Sequence, residues 1–189
     1  PDNLSGLYWG ISDCRSSTPG GRSLWVIGDA VDGVVPAPCG SPYDTDGTLN
    51  SLVTYGPIDL TSATSAYMKF KLWLNTQPYG VWYQYDSYNG WYVYDYFMFS
   101  ATRWSEWMGF PYFPGNVIGS TSGWKEMILN FADMDGSHFP DANLLGYGDV
   151  YISFSASSDN KEIGQYFEGI YIDDILIRKC VGGICPLDW

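Results

Sequence analysis

Near the end of the chain, the stretch IYIDDILI sets two carboxylates, Asp173 and Asp174, side by side in a pattern that otherwise alternates like a β-strand. Alternation sends neighbouring residues to opposite faces, so one of the two is expected to point toward the core. A buried carboxylate needs a cation or several donors to offset its lost hydration. Two chemistries fit: ligation of Ca²⁺, or an aspartate hydrogen-bonded so as to tie a loop to the strand. Acidic turns elsewhere favour calcium. GDAVDG (Asp29, Asp32), YDTDG (Asp44, Asp46) and ADMDG (Asp133, Asp135) set hard oxygen ligands beside a glycine that allows a tight loop. The same residues are also ordinary turn formers. The expected ligands are Asp29, Asp32 and Asp173, with Asp46 and Asp174 in reserve.

Catalytic tools are scarce. The single histidine, His138 in GSHFPD, reads as a surface loop residue and excludes H-E-x-x-H zinc sites and most histidine-based triads. There is no G-x-S-x-G elbow and no phosphate-cradling glycine loop. Carboxylate pairs serve glycoside hydrolysis, but among 21 acidic residues some must lie close by chance. The expectation is a protein that is not an enzyme. The four cysteines, Cys14, Cys39, Cys180 and Cys185, contain no C-x-x-C and have no second histidine to complete a zinc site. Of the three possible pairings, the sequence-local Cys14–Cys39 and Cys180–Cys185 are expected, in an oxidising, extracellular compartment. The chain opens at Pro1 rather than Met, as a processed, secreted chain would.

The 189 residues carry nine basic and 21 acidic side chains, a formal charge of −12. That balance argues against nucleic acid and anionic membranes as partners, and no apolar run approaches a membrane span. Apolar and polar residues alternate over short runs broken by Gly, Pro, Asn and Asp. LYWGIS, RSLWVIGD, SLVTYGPIDL, AYMKFKLWL, YVYDYFMFSAT, WKEMILNFADM, DVYISFSAS and IYIDDILIRK give eight strands in one domain. Eight antiparallel strands in two packed sheets predict an all-β jelly-roll sandwich spanning residues 1–189.

YGPIDLTSATSAYMKFKLWLNT, YDYFMF, GWKEMILNF and YFEGIYIDDILIRKC together resemble MAM-like jelly-roll domains of secreted proteins. Such domains include those beside immune-inhibitor-A-type metallopeptidases of bacteria. The resemblance covers about residues 22–180. It implies a two-sheet sandwich, extracellular placement, frequent calcium, and binding or adhesion rather than catalysis. Carried onto this chain, it implies that Asp173 and Asp174 are metal-linked, with Asp29 as co-ligand. PYGVWYQYDSYNGWYV departs from the family pattern as an insertion, and no peptidase accompanies the domain.

Ten of the nineteen residues 81–99 are aromatic. A strand buries only alternate residues, so Trp82, Tyr83, Tyr85, Tyr88 and Trp91 are expected in an exposed loop. Trp73, Trp104, Trp107, Phe110, Tyr112 and Phe113 would extend its surface. Rings of this kind stack on sugars or pack against another protein. The opening PDNLSGLYWGI offers Leu4, Leu7 and Trp9 as an arm (residues 1–12) that could add a strand to a neighbour's sheet. Its other reading is a first strand of its own sheet. Asn3-Leu4-Ser5 fits the N-glycosylation pattern, and residues 180–189 form a disulfide-closed tail. The sequence thus points to a calcium-stiffened extracellular subunit that assembles with copies of itself into a filament or surface layer. The alternative is a carbohydrate-binding or adhesion module.

Overall fold

The computed structural model describes residues 7–30, 37–42, 50–76, 84–86, 90–92, 96–103, 119–136, 139–157 and 167–188. Among them there is no helix. The strands are β1 (Leu7–Ser12), β2 (Ser23–Ala30), β3 (Asn50–Ile58), β4 (Ser65–Asn75), β5 (Gln84–Asp86) and β6 (Gly90–Tyr92). They continue with β7 (Tyr96–Arg103), β8 (Lys125–Asn130), β9 (Met134–Gly136), β10 (Phe139–Ala142), β11 (Val150–Ser157) and β12 (Gly169–Cys180). The eight strands expected from alternation are all present. The four short ones, β5, β6, β9 and β10, were not expected; at three or four residues they are too brief to show a period.

Two antiparallel sheets form a β-sandwich. One has the order β1-β2-β12-β4-β8, the other β3-β11-β7. From β2 onward the eight principal strands cross from one sheet to the other at every connection, the winding of a jelly roll. Apolar residues of both sheets fill the space between. Met68, Phe70, Leu72 and Leu74 of β4 are buried against Phe97, Phe99, Ile152 and Phe154. The Phe70 ring meets Phe99 edge-on at 4.9 Å and Phe154 at 5.2 Å. Phe97 stacks on Phe154 and touches Trp9. Much of the aromatic excess is therefore a ring-packed core, where each pair adds to simple area burial.

Trp9 lies in that core with 6% of its surface exposed. Its indole N–H donates to the Ser51 carbonyl at 3.2 Å, and its backbone N–H donates to the Ser51 hydroxyl at 3.3 Å. β1 is thus the first strand of its own chain's sheet in this structure, the second of the two readings of Leu7 and Trp9; Leu4 and Asn3 fall outside the described residues. Beside Trp9, Gly10 and Gly28 are both needed, because a Cβ on Gly10 would lie 2.5 Å from the Gly28 carbonyl carbon.

The opposite face of the five-stranded sheet has its own ring cluster. Tyr171 stacks on its cross-strand partner Trp25 at 5.2 Å and meets Trp73, its partner on β4, edge-on. Burial, followed by the nearby Glu168 carboxylate, raises the Tyr171 phenol pKa. Cys14–Cys39 and Cys180–Cys185 are disulfides. The second closes a tail whose residues hydrogen-bond to Thr64 and Ser65.

Cys14 and Cys39 are 25 residues apart. Replacing both by serine should therefore cost roughly 3 kcal/mol on the loop-entropy model, read as a lower urea midpoint. Replacing Cys180 and Cys185, only five apart, should cost less. An equal loss in the two variants would contradict this ordering.

Candidate functional site

β12 holds the residues that the sequence marked, but not as alternation predicts. Asp173 pairs with Lys71 of β4, whereas Leu176 pairs with Lys69, so β12 has one residue more than its partner in this interval. The extra residue is a β-bulge, and Asp174 occupies it with φ +50°, a left-handed conformation that aspartate tolerates better than most residues. The expectation that one carboxylate faces the core is overturned by this bulge. Both emerge on the same outer side: Asp173 is half-buried and Asp174 exposed.

There the two carboxylates hold the loop that follows β1. Asp173 Oδ2 accepts from the Ser17 backbone N–H at 2.7 Å and the Ser16 hydroxyl at 3.0 Å, while its Oδ1 accepts from the Asp174 N–H at 2.8 Å. Asp174 Oδ2 accepts from the Ser17 hydroxyl at 2.9 Å and pairs with the Lys71 ammonium at 2.7 Å. One residue earlier, the Arg15 guanidinium lies 3.7 Å above the Trp73 ring and pairs with Glu168 at 2.6 Å. Residues 15–17 are thereby strapped across the outer face of the sheet.

Among the described residues, Asp29 is not brought to the Asp173–Asp174 pair. Leu24 of β2 pairs with Ile172, so Asp29, five residues along β2 in the direction away from Asp173, is roughly 17 Å from that pair. Asp29 is exposed and accepts from the backbone N–H of Ala30. Asp32 and Asp46 lie outside the described residues, as do Asp44 and His138; Asp133 is exposed in a turn. At the Asp pair the carboxylate oxygens have backbone N–H groups, the Ser16 and Ser17 hydroxyls and the Lys71 ammonium as partners, the arrangement of an aspartate that ties a loop to a strand. The sulfurs near Asp13 belong to the Cys14–Cys39 disulfide and are not thiolate ligands.

Of the ring surface, Trp73 is not open to a sugar, because Arg15 covers its face. Tyr85 and Trp91 are cross-strand partners in the β5–β6 ribbon rather than loop residues. Trp82, Tyr83, Tyr88, Trp104, Trp107, Phe110, Tyr112 and Phe113 lie outside the described residues.

The bulge also opens a surface that the sequence reading missed. The ladder between β12 and β2 covers only Tyr171 and Ile172. From Asp173 onward β12 has a described neighbour on the β4 side alone, while β3 is the edge of the opposite sheet. Between these two edges runs a cleft of about 460 Å³, walled by Leu24, Val53, Tyr55, Phe154, Ile175 and Ile177, with no charged side chain in its lining. Tyr55 is 67% exposed and Ile175 42%. A signal for the bulge was present: the apolar phase runs through Ile170 and Ile172, then resumes at Ile175 and Ile177, shifted by one. No family model, curated protein or solved structure matches the chain.

The Lys71 ammonium, followed by the Ser17 hydroxyl, lowers the Asp174 pKa below its ordinary 3.8, and hydrogen bonding to Asp174 raises that of Lys71 above 10.5. Asp174 thus stabilises the fold above the ordinary carboxylate range and loses that contribution as pH falls through its lowered value. Lys71 contributes below 10.5 and loses its contribution as pH rises through its raised value. Asn keeps the left-handed backbone but not the charge, so Asp174→Asn should melt below wild type at neutral pH. The gap should close in strong acid and in strong base. A gap constant across pH would show that the pair contributes nothing.

Proposed function

We propose that this protein is a non-enzymatic, extracellular structural subunit that assembles with copies of itself. The observation that carries the reading is the uncharged cleft between two open sheet edges. Contiguous exposed apolar surface generally marks an interaction site, and here the adjoining backbone edges offer a protein partner hydrogen bonds as well. Aliphatic walls favour such a partner over a glycan, which prefers flat rings flanked by carboxylates or amides. Among the described residues, the larger ring clusters are consumed by internal stacking or covered by Arg15. Two disulfides fit an oxidising location, and the MAM-like motifs point the same way.

The charge of −12 opposes contact between copies until salt or a divalent cation screens it. Calcium enters this reading as a counter-ion for the acidic surface rather than as a ligand of the Asp173–Asp174 pair.

The intact chain should sediment as polymers that grow with added NaCl or CaCl₂. Tyr55→Glu, which places a charge in the cleft at an exposed position, should remain folded and shift the chain toward monomer. A monodisperse species of 21.1 kDa at every salt concentration, retained on a polysaccharide column, would replace this reading with the carbohydrate-binding one.

A further inference from the structure

The assembly reading leaves open which segment passes between copies, and the surroundings of β1 point to one. Among the described residues, β1 is the outermost strand of its sheet and pairs only with β2. Its attachment is compact: the β2 ladder, the close approach of Gly10 to Gly28, and the Trp9 ring seated on Ser51 and Phe97. Through Trp9 it also reaches β3, at Ser51, and Phe97 of the core.

Apart from the bond that the Cys14 N–H donates to the Ser12 hydroxyl, the chain just beyond β1 is fastened to other parts of the fold. Cys14 is held covalently to Cys39, Arg15 to Glu168 and Trp73, and Ser16 and Ser17 to the two β12 carboxylates. Only the exposed Asp13 separates Ser12 from Cys14. β1 can therefore swing out about Asp13 while residues 14–17 stay in place and the rest of the sandwich keeps its contacts.

A released β1 leaves behind an unpaired β2 edge and an empty indole seat. An identical strand from another copy restores every contact that was lost, which makes exchange of an element between copies a low-cost route to association. We propose that β1 is the exchanged element. Leu7–Ser12 of one copy pairs with β2 of a second, and its Trp9 fills that copy's Ser51–Phe97 seat. Each copy gives one strand and receives one; where the donor and the recipient of a copy are different neighbours the contact is heterologous and continues as a chain, and where they are the same copy it closes into a dimer. This proposal rests on the assembly reading and names the segment that executes it.

The test uses the register. Tyr8 and Asp29 are cross-strand partners and both are exposed. A Tyr8→Cys/Asp29→Cys double variant, assembled and then oxidised, should cross-link between chains. Non-reducing gels should show a ladder at multiples of 21.1 kDa that collapses on reduction, and neither single variant should produce a long ladder. A molar excess of a synthetic peptide of residues 1–12, added before assembly, should occupy vacated seats and shorten the polymers several-fold. Polymers whose engineered link lies wholly within each chain would overturn the exchange while leaving assembly intact. A double variant that is monomeric, internally linked and unresponsive to salt, beside a wild type that is also monomeric, would overturn both.

Discussion

One extra residue in β12 governs the features that distinguish this sandwich. Without the bulge at Asp174, alternation would turn Ile177 outward and set a carboxylate in the core. The left-handed conformation at Asp174 absorbs the shift, so Ile172 and Ile177 both face inward although they are an odd number of positions apart. The same irregularity brings Asp173 and Asp174 to one side, where they clasp Ser16, Ser17 and Lys71. Strong local twist is what bulges confer, and here it coincides with the point where β2 stops following β12. The strapped loop and the open cleft are therefore two consequences of one backbone event.

The strap has a second role in the architecture. A ten-residue connection between β1 and β2 would ordinarily follow whichever strand it serves, since loops are the weakly held parts of a fold. Here the segment is pinned by a disulfide, a guanidinium on a ring and hydrogen bonds to two carboxylates, none of which involves β1. Stability is thus distributed unevenly. The body of the sandwich is held by a ring-packed interior and a covalent loop closure, whereas β1 is held by one ladder and one indole.

The fold was largely legible because each principal strand is long enough to show its period. AYMKFKLWL reads as one buried face and one half-buried face, and β4 is so arranged. The site was less legible, for a physical reason. Strict alternation assigns faces to Asp173 and Asp174 only if the strand is regular, and the irregularity sits on the Asp pair itself. The phase shift from Ile172 to Ile175 carried that information but was outweighed by the expectation that paired carboxylates bind metal. Ser16, Ser17 and Lys71 were invisible as partners because they lie more than a hundred residues away in sequence or on a facing strand. Asp29 seemed a ligand because it ends a strand, yet antiparallel pairing to β12 fixes its distance from Asp173.

The edges of the two sheets differ in how they resist pairing with other chains. β8 begins with Lys125 and Glu126 and β7 ends in Arg103, each a device that discourages edge-to-edge addition. LYWGIS has neither charge nor proline. A body of charge −12 repels its copies, and that repulsion weakens with ionic strength. The strand itself is neutral, so transferring it from its own β2 to another adds nothing to the repulsion. In the proposed exchange the two contributions separate: salt governs the approach of the bodies, and the release of Trp9 governs the change of partner. An edge strand without charge or proline on a highly charged body is the combination on which the proposed exchange depends.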